Sequence, residues 1–129
     1  MLRAERRPTP AGDPEAIVTH TVEIVRSLAG GGDIPPVGVV VPGFVDAARE
    51  QVYYAPNVRF RTVPLRALLQ ERLPGAEIVI DNDANAAGWA EFRYGVGRGV
   101  SDMMLLTIGT GVGGAVIADG RLLRGGFGA

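Results

Sequence analysis

Three consecutive polar residues, Asp81-Asn82-Asp83, have side chains and a setting suited to chemistry. The apolar run Ile78-Val79-Ile80 precedes them without a spacer, and an alanine-rich segment with helical periodicity follows. A short apolar run rich in β-branched residues predicts a buried strand. The triplet is therefore predicted to lie between the carboxyl end of a strand and the start of a helix. Open α/β sheets place ligands and catalytic groups at such junctions.

Asp83 has two interpretations. It stands where we predict the helix N-cap, and an aspartate there contributes roughly 1 kcal/mol of stability. The functional interpretation is a general base, because phosphoryl transfer to a hydroxyl needs a carboxylate that orients the hydroxyl and accepts its proton. Asn82 can both donate and accept hydrogen bonds, which suits a sugar hydroxyl. Asn85 is compatible with a place on the helix surface. Taken alone, Asp83 favours the N-cap.

The second candidate site is the glycine-rich segment from Gly109 to Gly114, GTGVGG, which formally matches G-x-G-x-x-G. A dinucleotide-binding fold requires a helix after this motif. Here the residues that follow, AVIADGRLL, predict a strand and a hairpin turn instead. The remaining interpretation is a loop between two strands whose N–H groups converge on an anion, with a hydroxyl from Thr110. The alternative is a glycine-rich hairpin that only packs tightly.

Other segments predict the elements that position these two loops. Predicted helices start at Asp13-Pro14, at Pro64 and after Asp83, and they end at Gly30, at Pro74-Gly75 and at Gly95, which we expect to be a left-handed cap. Predicted strands span residues 37–41, 51–54, 77–80, 103–108 and 115–118, with a hairpin turn at Asp119-Gly120. Pro42-Gly43 closes the first strand, where the backbone should approach either a ligand or the next element.

Composition excludes several functional classes. The chain has 129 residues, enough for one domain, and a net charge of −1, so nothing indicates a nucleic-acid partner. It has no cysteine for a disulfide or thiolate metal site, and its only histidine, His20, is predicted to be solvated. It contains no lysine, which excludes mechanisms that need one. No apolar run reaches membrane-spanning length and no secretory signal is evident, so we expect a cytoplasmic protein without a membrane partner.

With both loops in place, the chain resembles the sugar-kinase branch of the ROK family (repressors, open reading frames, kinases), and in particular its actinobacterial-type glucokinases. The resemblance covers roughly residues 8 to 129. The segments that carry it are VGVVVPGFVD (37–46), VYYAPNVRFRTVPL (52–65), DNDANAAGWAEFRYGVGRG (81–99) and LLTIGTGVGGAVIADGRLLRGGFG (105–128). N-D-A-N-A-A followed by T-x-G-T-G-x-G-G is specific as a pair, although neither motif is specific alone.

The resemblance implies an α/β fold of the actin-like ATPase (ribonuclease H-like) type. It implies phosphorylation of glucose at its 6-hydroxyl by ATP, assisted by Mg²⁺. Asp83 matches the family's catalytic base. The sugar-binding positions are Asn82, Asn57 and Gly43, the last in a loop that borders the sugar. The ATP phosphate-binding positions are Gly109, Thr110, Gly111 and Gly113.

The chain also departs from the family pattern. Nothing in it matches the first phosphate loop, D-x-G-G-T, or the later E-x-G-H and cysteine-rich zinc segments, so the ligands of the family's structural zinc are absent. We therefore expect residues 1–129 to form an incomplete first lobe, inactive on its own, of a protein that is a homo-oligomer at full length. Alternatives are the sugar-sensing domain of a ROK repressor, a kinase for another hexose, or a polyphosphate-dependent kinase. Polyphosphate users tend to have Asp where Asn85 stands, which favours ATP.

Overall fold

The computed structural model describes residues 3–126 and 128. The described residues form a mixed α/β structure in which three helices separate groups of strands, as the sequence predicts. The helices are α1 (Pro14–Ala29), α2 (Leu65–Arg72) and α3 (Asp83–Tyr94), with a 3₁₀ turn at Pro56–Val58. The strands are β1 (Val37–Val41), β2 (Phe44–Val45), β3 (Val52–Ala55), β4 (Phe60–Val63), β5 (Ile78–Asn82), β6 (Met103–Ile108), β7 (Val112–Ala118) and β8 (Arg121–Leu122).

The strands form three small sheets within the described residues. β1 and β5 pair in parallel, whereas β2-β3-β4 and β6-β7-β8 are antiparallel meanders. Val41, the last residue of β1, pairs with Asn82, the last residue of β5. Because parallel strands end at the same edge of a sheet, the turn after β1 and the start of α3 lie side by side. This register brings residues 42–44 next to the triplet at 81–83.

The main hydrophobic core lies between α1, α2, the β1-β5 sheet and the β2-β3-β4 sheet. Its largest fully buried side chains are Phe60, Leu69, Leu73, Ile78, Ile80, Val18, Val45 and Val52. The other face of the parallel pair is more open, since Val40 is 53% exposed and Val79 is 37% exposed. The strands predicted to be buried at residues 37–41 and 77–80, which are β1 and β5, are therefore buried on one face only.

Several predicted boundaries need correction. β5 continues through Asn82, two residues beyond the predicted end, because its pairing with β1 persists that far. β7 begins at Val112, so part of the glycine motif lies inside a strand. β4 was not predicted. Gly95 caps α3 with φ −105°, so it is not left-handed; a Cβ there would displace the Glu91 side chain and would lie 3.0 Å from the Glu91 Cα.

α1 begins after the predicted N-cap Asp13 and ends at Gly30 in the left-handed conformation. His20 on this helix is half-buried rather than solvated, and its Nδ1 atom has no hydrogen-bond partner in the described part of the chain.

Among residues 3–126 and 128, no helix combines the length and the apolar character that crossing a membrane requires.

Candidate active site

The N-cap of α3 is Asn82 and not Asp83, which corrects the sequence prediction. Asn82 has extended backbone angles, and its side-chain oxygen accepts a hydrogen bond from the Asn85 N–H at 2.9 Å. Asp83 is the first helical residue and is exposed. Its Oδ1 accepts from the adjacent Ala84 N–H, also at 2.9 Å. The capping role that competed with a chemical role for Asp83 thus belongs to its neighbour.

Asn82 also fixes the turn after β1. Its Nδ2 donates to the carbonyl oxygen of Gly43 at 2.9 Å, so one side chain connects the helix cap to the Pro42-Gly43 turn. A Cβ on Gly43 would lie 2.4 Å from the Ala55 Cβ. Glycine is therefore required here by the approach of β3, which answers the question of what this turn packs against. Part of the hydrogen-bonding capacity predicted for a sugar is already used within the protein.

The glycine hairpin is held against α3 by two close contacts. At Gly88 the helix lies so near β7 that a Cβ would be 2.4 Å from the Ala115 Cβ. At Gly113 a Cβ would be 2.7 Å from Thr107 Oγ1 and 3.0 Å from the Ala84 Cβ. Real Cβ atoms do not approach other atoms so closely, so both glycines are explained by packing. Together they fix the hairpin beside the amino-terminal turn of α3.

Gly109 and Gly111 differ from Gly113. A Cβ on either would meet no atom within 4 Å, and neither has a positive φ angle. Internal packing and backbone strain therefore do not account for these two glycines, whereas close approach of a ligand to the backbone would. The Gly109 N–H donates to the carbonyl of Gly111 at 2.9 Å within the loop. Tight packing thus explains Gly113, but not the loop tip.

All eight residues predicted for the site line one cavity of about 660 Å³. They are Gly43, Asn57, Asn82, Asp83, Gly109, Thr110, Gly111 and Gly113. The structure therefore brings together four segments that are distant in sequence. Cavities of this size commonly accommodate small ligands.

The cavity also has walls that the sequence analysis did not include. Asn85, predicted for the helix surface, is 8% exposed and faces this space. Phe44, Thr107 and Gly128 line it as well. The N-D-A-N spacing contained a signal for Asn85, since residues at i and i+3 share a helix face. Thr107 is the first residue of the T-x-G-T-G-x-G-G motif, whereas Phe44 and Gly128 are placed by tertiary packing and have no local signal.

Asp83 is the only carboxylate that lines the cavity among the described residues. Asp81, two residues earlier, points elsewhere and pairs with Arg124. Burial raises the pKa of Asp81, but hydrogen bonds from Arg124 and from the Asn82 N–H, together with the arginine charges, lower it below its ordinary value. No local pattern in the sequence indicates this ion pair. The cavity therefore presents one acidic side chain opposite neutral donors and backbone.

The donor set does not fit a metal ion held by the protein alone. Within residues 3–126 and 128, no three His, Cys, Asp or Glu side chains converge. Mg²⁺ in phosphoryl-transfer sites is commonly bound through one or two carboxylates together with substrate phosphates. Among the described residues that line the cavity, Asp83 is the single carboxylate that could contribute to such a site.

Comparison with known proteins gives a consistent assignment. A model of the ROK family matches residues 1–129. The glucokinase of Streptomyces coelicolor is 40% identical over 128 residues, which is 99% of this chain and 40% of that protein. The chain thus spans about 40% of the length of the curated glucokinases it matches. A xylose repressor from Caldicellulosiruptor bescii is 37% identical over 92 residues, covering 71% of this chain and 23% of the repressor.

Solved structures agree with the fold expectation. A ROK family glucokinase from Streptomyces griseus, in complex with glucose and AMPPNP, superposes with a TM-score of 0.83 at 40% identity, covering 92% of this chain and 37% of that one. An inorganic polyphosphate/ATP-glucomannokinase from an Arthrobacter species gives a TM-score of 0.80 at 38% identity, covering 95% and 51%. The described residues thus have part of the actin-like ATPase fold, as predicted.

Proposed function

This chain belongs to the ROK family, and we propose that the protein phosphorylates glucose at its 6-hydroxyl with ATP. In this proposal Asp83 is the general base, and Asn82, Asn57 and Gly43 border the sugar. The tip of the glycine hairpin binds the phosphates of ATP.

One observation carries the proposal. A carboxylate without a capping role and a glycine loop tip without a packing role line the same cavity. Each feature had a purely structural interpretation in the sequence, and in each case other residues fulfil that structural role. Asn82 caps the helix, and Gly113 provides the close packing. A base and an anion-binding loop in one cavity are the two parts that phosphoryl transfer to a hydroxyl needs.

The chemistry follows from these positions. Asp83 accepts the proton of the sugar hydroxyl as the hydroxyl oxygen forms a bond to the γ-phosphorus of ATP. The bond between that phosphorus and the β,γ-bridging oxygen breaks, and ADP leaves. Backbone N–H groups at the loop tip and the Thr110 hydroxyl stabilise negative charge on the phosphates. Mg²⁺, where bound, would neutralise phosphate charge in addition.

The test is a product assay on the protein expressed from its complete coding region. Glucose, mannose, fructose and N-acetylglucosamine are each offered with ATP or with polyphosphate, and the sugar phosphates are identified by mass spectrometry. We expect the highest kcat/KM for glucose with ATP. Asp33→Asn, in an exposed loop between α1 and β1, is a matched control and should not change the rate. Absence of a sugar phosphate from every pair would overturn the proposal.

A sugar-sensing role in a repressor is the second candidate, favoured by the similarity to the xylose repressor over 71% of this chain. It predicts sugar binding without phosphoryl transfer. Calorimetric titration with sugar, run beside the product assay, separates the two candidates. Tight sugar binding with no turnover, together with indifference of that binding to Gly111→Ala, would favour the sensor.

A further inference from the structure

An ion pair outside the cavity lining connects the end of β5, which precedes Asp83, to the sheet that carries the glycine hairpin. Arg124 Nη1 donates to Asp81 Oδ1 at 2.9 Å, and Arg124 Nη2 contacts Asp81 Oδ2, so the pair is bidentate. The two side chains are 25% and 15% exposed. Bidentate arginine–carboxylate pairs constrain geometry as well as charge. The residues are 43 positions apart in sequence, so the pair is a tertiary contact.

On the Asp81 side, the pair acts on the end of β5. Asp81 pairs with Val40 in the parallel sheet, and its Oδ1 also accepts from the Asn82 N–H at 2.8 Å. Asn82 in turn caps α3 and binds the Gly43 carbonyl. A change in the position of Asp81 is therefore transmitted to the next two residues, and the second of them is Asp83.

On the Arg124 side, the pair is anchored to the sheet that carries the glycine hairpin. Arg124 follows β8, and the N–H of the preceding Leu123 donates to the Val116 carbonyl on β7 at 2.8 Å. Beyond Arg124, Gly128 packs against the backbone after β2, where a Cβ would lie 2.5 Å from Val45 O. Arg124 is thus fixed to β7, and the amino-terminal end of β7 is part of the glycine hairpin.

We propose that the Asp81–Arg124 pair is a positioning device that holds Asp83 at a fixed place relative to the glycine hairpin. This inference rests on the proposed role of Asp83 as base. Neither Asp81 nor Arg124 lines the cavity, so the pair acts through Asn82 and does not touch substrate. Its loss would leave a largely buried carboxylate without its partner, which is strongly unfavourable.

The charges around Asp81 allow a specific test. The arginines whose charge acts on it are Arg124 and Arg49, the latter in the loop after β2. In Arg124→Gln the burial remains while the main hydrogen-bond donor is lost, so the pKa of Asp81 rises. Asp81 is then protonated at a higher pH in this variant than in the wild type, and its hydrogen bonds change. A residue with only a general structural role would not add this titration.

The experiment compares Arg124→Gln, Asp81→Asn/Arg124→Gln and Arg72→Gln in the protein expressed from its complete coding region. Arg124→Gln should lower kcat about 10- to 100-fold, because displacing a reacting group by up to about 1 Å has an effect of this size. The KM for glucose should change little. The substitution should also add an acid limb to the kcat profile. The double variant should recover most of kcat and lose that limb, because no buried charge is left unpaired. Arg72→Gln, which removes an exposed partner of Glu15, should leave kcat unchanged.

A second measurement does not depend on kinase activity. The amide NMR signals of Ala84 and Asn85 report the hydrogen bonds at the start of α3. They should shift in Arg124→Gln and return towards the wild-type positions in the double variant. Unchanged signals, or an unchanged kcat and pH profile in an active enzyme, would overturn the positioning role. Shifted signals in a protein without sugar kinase activity would support the positioning of Asp83 while refuting the proposed function.

Discussion

Replacing Gly88 with alanine tests how α3 is placed against the glycine hairpin. Gly88 faces Ala115 on β7, and the added Cβ would lie 2.4 Å from the Ala115 Cβ. Carbon atoms in contact are normally about 3.5–4.0 Å apart. Both atoms are attached directly to backbone, so no rotamer change relieves the overlap. The helix must move away from the strand by about 1 Å or more.

The expected magnitude follows from two opposing effects. Overpacking of this kind costs about 1–3 kcal/mol, whereas alanine is favoured over glycine inside a helix by about 1 kcal/mol. We expect a net loss of about 0–2 kcal/mol in the free energy of unfolding. The displacement also separates the first turn of α3 from the hairpin. A shift of about 1 Å between reacting groups lowers kcat by about 100-fold.

The assay combines urea unfolding, followed by circular dichroism, with steady-state kinetics. The double variant Gly88→Ala/Ala115→Gly moves the methyl group to the other side of the contact, so it should recover much of the lost stability and kcat. Gly38→Ala is the matched control, because a Cβ on that strand glycine meets nothing within 4 Å. A Gly88→Ala protein with wild-type stability and kcat, and no effect of the compensating change, would refute this account of the packing.

Three further predictions concern residues that line the cavity or lie next to it. Gly111→Ala should raise the KM for ATP without destabilising the fold. Gly113→Ala should destabilise the fold, because the added Cβ would lie 2.7 Å from Thr107 Oγ1. Equal effects of the two substitutions in unfolding and kinetic assays would contradict this distinction. Asn82→Asp keeps the cap oxygen but loses the donor to the Gly43 carbonyl, so it should cost about 1–3 kcal/mol in denaturant unfolding; no loss would show that this bond is dispensable. The pKa of Asp81 is below its ordinary value in the folded protein, so the stability it contributes is present above that ordinary value and is lost as pH falls through the folded pKa. The stability difference between wild type and Asp81→Asn, from unfolding at several pH values, should shrink on acidification; a constant difference would contradict the assignment.

Local patterns were sufficient to predict the two loops and the elements that bear them. The run at residues 78–80 and the segment after Gly114 had clear strand signals, and strand β7 confirms that no helix follows the glycine motif. The cap was displaced by one residue because the pairing of β5 with β1 extends through Asn82. A single sequence does not reveal where such pairing ends.

Contacts between distant segments have no local signature in the sequence. The Asp81–Arg124 pair joins residues 43 positions apart, and nothing local to Arg124 indicates a partner. β4 was missed because Phe60–Val63 is short and lies between a turn and a proline. The division of the glycines into packing and open positions also required coordinates, because it depends on whether another strand or helix lies within reach of a Cβ.

The central claim is that Asp83 accepts a proton during phosphoryl transfer, and its most direct test is the kcat of Asp83→Asn with glucose and ATP. The protein is expressed from its complete coding region, and glucose binding is measured on the same preparation. Asparagine preserves the shape of the side chain but is not a base, so we predict that kcat falls by about 100- to 10,000-fold while the protein still folds and binds glucose. A kcat within about tenfold of wild type would contradict the claim and remove Asp83 as the base.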